Sequence, residues 1–192
     1  GLEASILKKA AEGKIIFGIY GGYQMLGETL ADPEGVESGG EMKGMGLLPM
    51  DTVFKESKTR TRVEGIFPKV DGVLKTLSGA SLEGYEIHMG ESTLREGASA
   101  FTEITDSVTG ATKPDGAYCG HVYGSYVHGI FDREEVAKRI VEAIGAEKGL
   151  DVSQMTGVDF ASFKETQYDK LAKGLREHLD MKKIYEILNQ GI

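Results

Sequence analysis

The order of sequence patterns predicts an α/β protein with a helical tail, and three observations carry that reading. Lys14 to Ile19 (KIIFGI) is a short, almost wholly apolar run, as in a strand buried on both faces. It ends at the glycine pair Gly21-Gly22, after which apolar residues resume at helical spacing, so the segment reads strand, turn, helix. After Asp132 the alternating patterns give way to amphipathic helical ones that continue to the end of the chain.

The first helix is expected over Leu2 to Ala11, where Leu2, Ile6, Leu7 and Ala10 recur at helical spacing and Glu12-Gly13 closes it. The helix after the glycine pair spans Tyr23 to Leu30 and stops at Asp32-Pro33. Glu34 to Gly46, rich in glycine and acidic residues, is expected as an exposed loop. Extended segments are expected at Leu47 to Phe54, Thr59 to Phe67, Gly84 to Met89, Ala98 to Ser107 and Tyr118 to Val127, with a turn at Lys113-Pro114-Asp115-Gly116. In Gly84 to Met89 (GYEIHM), Tyr85, Ile87 and Met89 share one face and Glu86 and His88 the other. Helices follow at Arg133 to Ala146, Phe163 to Leu179 and Met181 to Leu188, with a loop around Gly149 to Phe160.

Bulk composition excludes several classes. The 192 residues carry a formal net charge of -8, and Lys and Arg are interleaved with Asp and Glu. A nucleic-acid surface needs clustered basic residues, so none is expected. The basic stretch Lys55 to Arg62 is broken by Glu56 and reads as a loop or strand edge. No apolar run approaches the ~20 residues of a membrane span. The one cysteine, Cys119, cannot form an internal disulfide. A cytoplasmic, membrane-free protein is the expectation.

Gly18-Ile19-Tyr20-Gly21-Gly22 has the spacing of a nucleophile elbow, G-x-Nuc-x-G, at a strand-to-helix turn. The elbow residue sits in a strained turn, and its neighbours must be small for the backbone to pass closely. The helix that follows aims free N–H groups and its positive dipole end at the elbow, a setting that lowers a thiol pKa and stabilises an oxyanion. An ordinary strand-loop-helix junction shares these features. In Gly124 to Asp132 (GSYVHGIFD), His128 ends an apolar strand and precedes Gly129. A histidine there can lie beside an elbow at the carboxyl edge of a sheet, although a structural histidine is the commoner case.

Gly18 to Gly27 (GIYGGYQMLG) resembles the GICGGYQMLG elbow of the class I glutamine amidotransferase domain of the cobyric acid synthase (CobB/CobQ) type. Gly84 to Gly90 (GYEIHMG), Ser125 to Asp132 (SYVHGIFD) and Lys164 to Leu188 resemble further signatures of that family, in the same order. The resemblance implies a flavodoxin-like sheet with helices on both faces. It also implies a division into residues 1–132, an amidotransferase domain without its leading strands, and residues 133–192, a helical tail packed on it. Carried over by position, Tyr20 falls on the cysteine nucleophile and His128 on the general base. Gly21 falls on an oxyanion donor, and Gly22 and Gln24 fall on the glutamine-binding turn. The implied substrate is L-glutamine, with no metal or cofactor in this chain. ATP and Mg²⁺ belong to a synthetase domain that amidates a corrinoid acceptor, adenosylcobyrinic acid a,c-diamide, in cobalamin biosynthesis.

Tyr20 departs from the family pattern. A phenol has an unperturbed pKa of about 10 against about 8.5 for a thiol, and is a poor nucleophile toward an amide. Loss of a nucleophile costs roughly 10⁶-fold in kcat in a serine protease. The expectation for this chain is therefore an impaired glutaminase. A non-catalytic binding module and an amidotransferase of the lipid II type, with its similar elbow, stay open beside it. Many class I relatives carry Glu two residues after the histidine; Ile130 stands there in this sequence.

Overall fold

The computed structural model describes residues 1–152, 155 and 160–191. Contacts divide the chain into two units, residues 1–157 and 158–192. The architecture is α/β, as the pattern order predicts.

In the first unit, α1 (Leu2–Ala11) ends where Gly13 takes φ 72°. The apolar run then becomes β1 (Ile16–Ile19), followed directly by α2 (Gly21–Met25). This helix is much shorter than the expected Tyr23 to Leu30. Gly27 sits so close to the Met50 carbonyl that a Cβ there would be 2.9 Å from it, and Glu28 N–H donates to that carbonyl at 2.8 Å. The chain therefore leaves the helix for β2 (Thr29–Asp32), and tertiary pairing overrides the helical spacing of Leu26 and Leu30.

The strands form two sheets. In the smaller, β1 pairs in parallel with β9 (Val122–Ser125), which pairs antiparallel with β8 (Ala117–Cys119). The expected Tyr118 to Val127 strand is thus two, split by a turn at Gly120, φ 60°. The larger sheet holds β2, β3 (Gly40–Lys43), β4 (Met50–Ile66), β5 (Ser81–Leu94), β6 (Thr102–Asp106) and β7 (Thr112–Asp115). Its order is β3-β2-β4-β6-β7, with β5 also paired to β4.

Three further expectations change. The Leu47 to Phe54 and Thr59 to Phe67 segments belong to the single long strand β4, whose register against β5 shifts between Phe54 and Thr59. The basic stretch is a strand edge, as expected: it lies in β4 where only β5 pairs alongside, and Lys55 is ion-paired to Glu91. The acidic loop contains β3, and it begins in a turn held by Asp32, whose carboxylate accepts the N–H groups of Val36, Glu37 and Gly39, each at 2.8 Å. The Lys113 to Gly116 turn is largely β7. Pro114 lies opposite Glu103 on this outermost strand, where a missing N–H leaves no ladder bond unmade.

Two apolar clusters hold this unit together. One contains Phe67, Leu74, Leu77, Leu82, Phe101, Ile104, Tyr123, Val127, Ile130 and Val136, with Phe17 against it. The other contains Tyr23, Leu26, Leu48, Met50 and Tyr126. The helix α3 (Glu134–Glu147) presents Val136 and Ala143 to the first cluster, and Arg139 donates to the carbonyls of Thr76 and Ser78 at 2.7 and 2.9 Å. The second unit comprises α4 (Phe160–His178) and α5 (Met181–Gln190), the latter capped by Asp180 accepting Lys183 N–H at 3.0 Å. Much of the loop expected around Gly149 to Phe160 lies outside the described residues. No described helix is long and apolar enough to cross a membrane.

Candidate active site

The parallel pairing of β1 and β9 creates the site. Its register sets Ile19 opposite Ser125, so both strands run out at the same edge. Tyr20 is the residue just after β1, and His128 lies three residues beyond Ser125, the last of β9. Tyr20 N–H donates to the Ser125 carbonyl at 3.1 Å, which carries the pairing one step past the strand.

Tyr20 has φ 56° and ψ -119° and is the only non-glycine residue with positive φ among those described. Such conformations cost on the order of 1–3 kcal/mol and persist where the surroundings impose them. Here the imposition is visible. A Cβ on Gly18 would lie 2.7 Å from both the Gly22 carbonyl oxygen and Leu26 Cδ1, so only glycine lets the turn close over β1. On Gly21 and Gly22 a Cβ would instead meet nothing within 4 Å. The crowding is beneath the turn, and the space beside Gly21 and Gly22 is open. The first helical bond of α2 is Gln24 N–H to the Tyr20 carbonyl, 3.1 Å, so the N–H groups of Gly21, Gly22 and Tyr23 precede the ladder.

The structure brings Tyr20 and His128 together, with ring centroids 5.4 Å apart and planes tilted by 41°. Tyr20 is 41 % exposed. The loop after His128 is anchored from within: Gly129 takes φ 84°, Ile130 is buried in the core, and Phe131 meets Phe17 edge-on at 4.9 Å. The position two residues after the histidine is thus apolar packing, with no carboxylate. Cys119 lies at the other end of the β8–β9 pair, opposite Val122, away from the elbow.

Gln24 is buried rather than displayed. Its Nε2 donates to the Tyr126 hydroxyl at 3.2 Å, which bonds Ser92 Oγ at 2.7 Å, and Ser92 Oγ bonds Thr52 Oγ1 at 2.8 Å. A Cβ on Gly90 would collide with that carboxamide. Tyr126 also lines a cleft of about 420 Å³ that holds Lys55, Glu86, His88, Lys113 and Asp115.

This polar cluster is what sequence reasoning missed. Alternation placed Glu86 and His88 on one face correctly, but that face is the interior: Glu86 is 1 % exposed, whereas Tyr85 on the other face is 46 % exposed. His88 bridges the Gly90 carbonyl at 2.7 Å and Glu86 Oε1 at 3.1 Å, and its ring stacks on Tyr126 at 3.8 Å. Lys113 lies 3.1 Å from Glu86 Oε1 and 2.9 Å from Oε2. Burial raises the Glu86 carboxyl pKa, but bonds from His88 and Lys113 outweigh it and hold the group below the usual range. Asp115 goes the other way. Burial pushes it up, only partly offset by Ser125 Oγ at 2.6 Å, Tyr126 N–H at 3.2 Å and Thr102 Oγ1 at 3.1 Å, while the Glu86 charge adds to the rise. No sequence signal marked this cluster beyond the two polar residues of one strand face. Among the described residues no group of three or more His, Cys, Asp and Glu is placed to hold a metal ion.

The profile of the CobB/CobQ-like glutamine amidotransferase domain matches residues 1–136. The chain is 52% identical over 194 residues to a cobyric acid synthase of Ruminiclostridium cellulolyticum, covering 100% of this chain and 38% of that protein. It is 47% identical to the cobyric acid synthase of Lachnoclostridium phytofermentans, covering 100% and 39%, and 41% identical to that of Streptococcus sanguinis, covering 99% and 37%. The chain therefore spans under two-fifths of the length of these relatives. Among solved structures, a glutamine amidotransferase superposes with TM-score 0.47 at 19% identity, over 76% of this chain and 69% of that one.

Proposed function

Since the chain belongs to the CobB/CobQ-like glutamine amidotransferase domain family, we propose that the Tyr20–His128 edge is a glutamine site whose nucleophile position is occupied by tyrosine. The observation that carries this reading is the strained elbow with a histidine ring against it, 5.4 Å away, at the open end of two parallel strands. In the proposed reaction a thiolate at position 20 attacks the glutamine carboxamide carbon. The Gly21 N–H stabilises the oxyanion. His128 gives its proton to the departing nitrogen, so ammonia leaves and a glutamyl thioester remains. Water, deprotonated by His128, then releases glutamate. Gly22 leaves room for the substrate, and Gln24, held by Tyr126, supports the binding turn.

With Tyr20 in place the nucleophile is a phenol whose ring stands beside His128, where the carboxamide would enter. We therefore propose that this chain is an impaired glutaminase. In the whole protein, the ammonia would serve ATP- and Mg²⁺-dependent amidation of a corrinoid carboxylate by a synthetase domain outside this chain, as in cobalamin biosynthesis. The test is glutamine-dependent ammonia release by the intact protein, as it stands and as Tyr20→Cys. Turnover is expected only from the substituted protein. A folded Tyr20→Cys protein with no turnover would contradict the proposal.

The exposed phenol at the elbow favours one second reading, a non-catalytic module beside a synthetase that takes free ammonia. Amidation driven by ammonium salts and insensitive to glutamine analogues would support that reading; a glutamyl adduct on the chain would oppose it.

A further inference from the structure

A catalytic histidine needs its ring held in one orientation, and a carboxylate hydrogen-bonded to the ring is the usual device. His128 lacks it: none of the described residues hydrogen-bonds its ring, and Ile130 occupies the place where such a carboxylate would be sought. The ring is nevertheless confined. Tyr85 of β5 lies parallel to it, with ring centroids 4.9 Å apart and planes 8° from parallel. The two residues also form an isolated antiparallel bridge, His128 N–H to the Tyr85 carbonyl at 2.9 Å and Tyr85 N–H to the His128 carbonyl at 3.1 Å. A Cβ on Gly84 would collide with the His128 carbonyl oxygen and lie 2.6 Å from Val127 Cγ1, so the strand comes this close only because residue 84 is glycine.

We infer that Tyr85 is a positioning residue for His128, its aromatic face setting the imidazole plane in place of an acidic partner. The backbone bridge fixes where the His128 backbone lies, and the stack fixes how its ring is turned toward residue 20. The other ring beside His128 is Tyr20 itself, tilted by 41°. Once position 20 carries a small nucleophile, Tyr85 is therefore the aromatic surface left to hold the imidazole. The alternation of β5 explains the division of labour: Tyr85 serves the elbow side while Glu86 and His88 turn inward. Tyr85 needs no hydroxyl for this role, so phenylalanine should replace it and an aliphatic residue should not.

This inference rests on the glutaminase reading for its kinetic consequence, and the test separates the two. In the intact protein carrying Tyr20→Cys, adding Tyr85→Leu is expected to lower kcat about 10- to 100-fold with KM within about twofold, the cost of a misplaced catalytic group. Adding Tyr85→Phe instead should restore most of the rate. In parallel, the ring protons of His128 in the present chain, assigned by NMR, should lie upfield under the Tyr85 face, move downfield in Tyr85→Leu and stay near their place in Tyr85→Phe. An unchanged kcat in Tyr85→Leu, or equal losses in Leu and Phe, would overturn the inference. If Tyr20→Cys shows no turnover at all, the glutaminase reading fails, and the NMR arm alone decides: His128 ring shifts indifferent to Tyr85→Leu would overturn the stack.

Discussion

At the scale of single residues, side chains act here through the space around them. Tyr20 occupies a left-handed conformation because Gly18 leaves no room beneath the turn for anything but a close backbone pass. Glu86 stays a carboxylate in the interior because His88 and Lys113 surround it. That carboxyl is depressed in the folded protein relative to about 4.3 when unfolded. Its stabilising contribution is therefore complete above that unfolded value and lost as pH falls through the lower, folded one. Glu86→Gln is expected to destabilise the protein at neutral pH by about 1–3 kcal/mol, the cost of an imperfectly satisfied buried group. The difference between the two proteins should shrink as pH drops below about 4. Thermal melts of both from pH 7 to pH 3 check this, and a difference that grew toward low pH would count against the assignment.

At the scale of elements, the site depends on the strand-turn-helix of β1 and α2 and on the loop that follows β9. The first was legible in the sequence. KIIFGI reads as a strand and the Gly18-x-Tyr20-x-Gly22 spacing as an elbow, and both hold because local chain geometry dictates them; the expected burial on both faces does not, since β1 pairs only with β9 and Ile16, Phe17 and Ile19 stay half-buried. His128 was legible as a strand-end residue next to glycine, but its neighbour Tyr85 was not, since nothing local says which strand lies alongside. The same limit explains the helix expected through Leu30. The spacing of Leu26 and Leu30 suits a helix, yet pairing of Thr29 to Ala31 with β4 takes that segment into a sheet. It explains Pro114 too, which reads as a turn residue and stands on an outer strand whose exposed edge spares it a donor. The alternation of β5 was legible, but not which of its faces is buried, because the polar side is covered by Lys113 of β7 and by Tyr126 from elsewhere in the chain. The loop after β9 has its own test. Ile130 is fully packed in the core, so Ile130→Ala should cost about 2–5 kcal/mol. It should also broaden the His128 ring signals as the loop loses its anchor; a destabilised protein with an unmoved His128 would show that the backbone bridge to Tyr85 holds the histidine by itself.

At the scale of the molecule, the site is assembled across more than a hundred positions of sequence. Tyr20 follows the amino-terminal strand β1, Tyr85 stands on β5, which pairs along one side with β4, and His128 lies beyond β9 of the smaller sheet. Both apolar clusters that hold these strands lie within the first unit, and so does every candidate site residue. This assembled edge is proposed as a glutamine site with only its nucleophile exchanged. The most direct measurement is covalent capture by a glutamine-derived electrophile, such as a diazoketone analogue of glutamine, read by mass spectrometry of the intact protein and of its peptides. One adduct is expected, on residue 20, in the Tyr20→Cys protein, abolished by excess glutamine, and none in the chain as it stands. A folded Tyr20→Cys protein left unlabelled, or labelled at Cys119 instead, would contradict it.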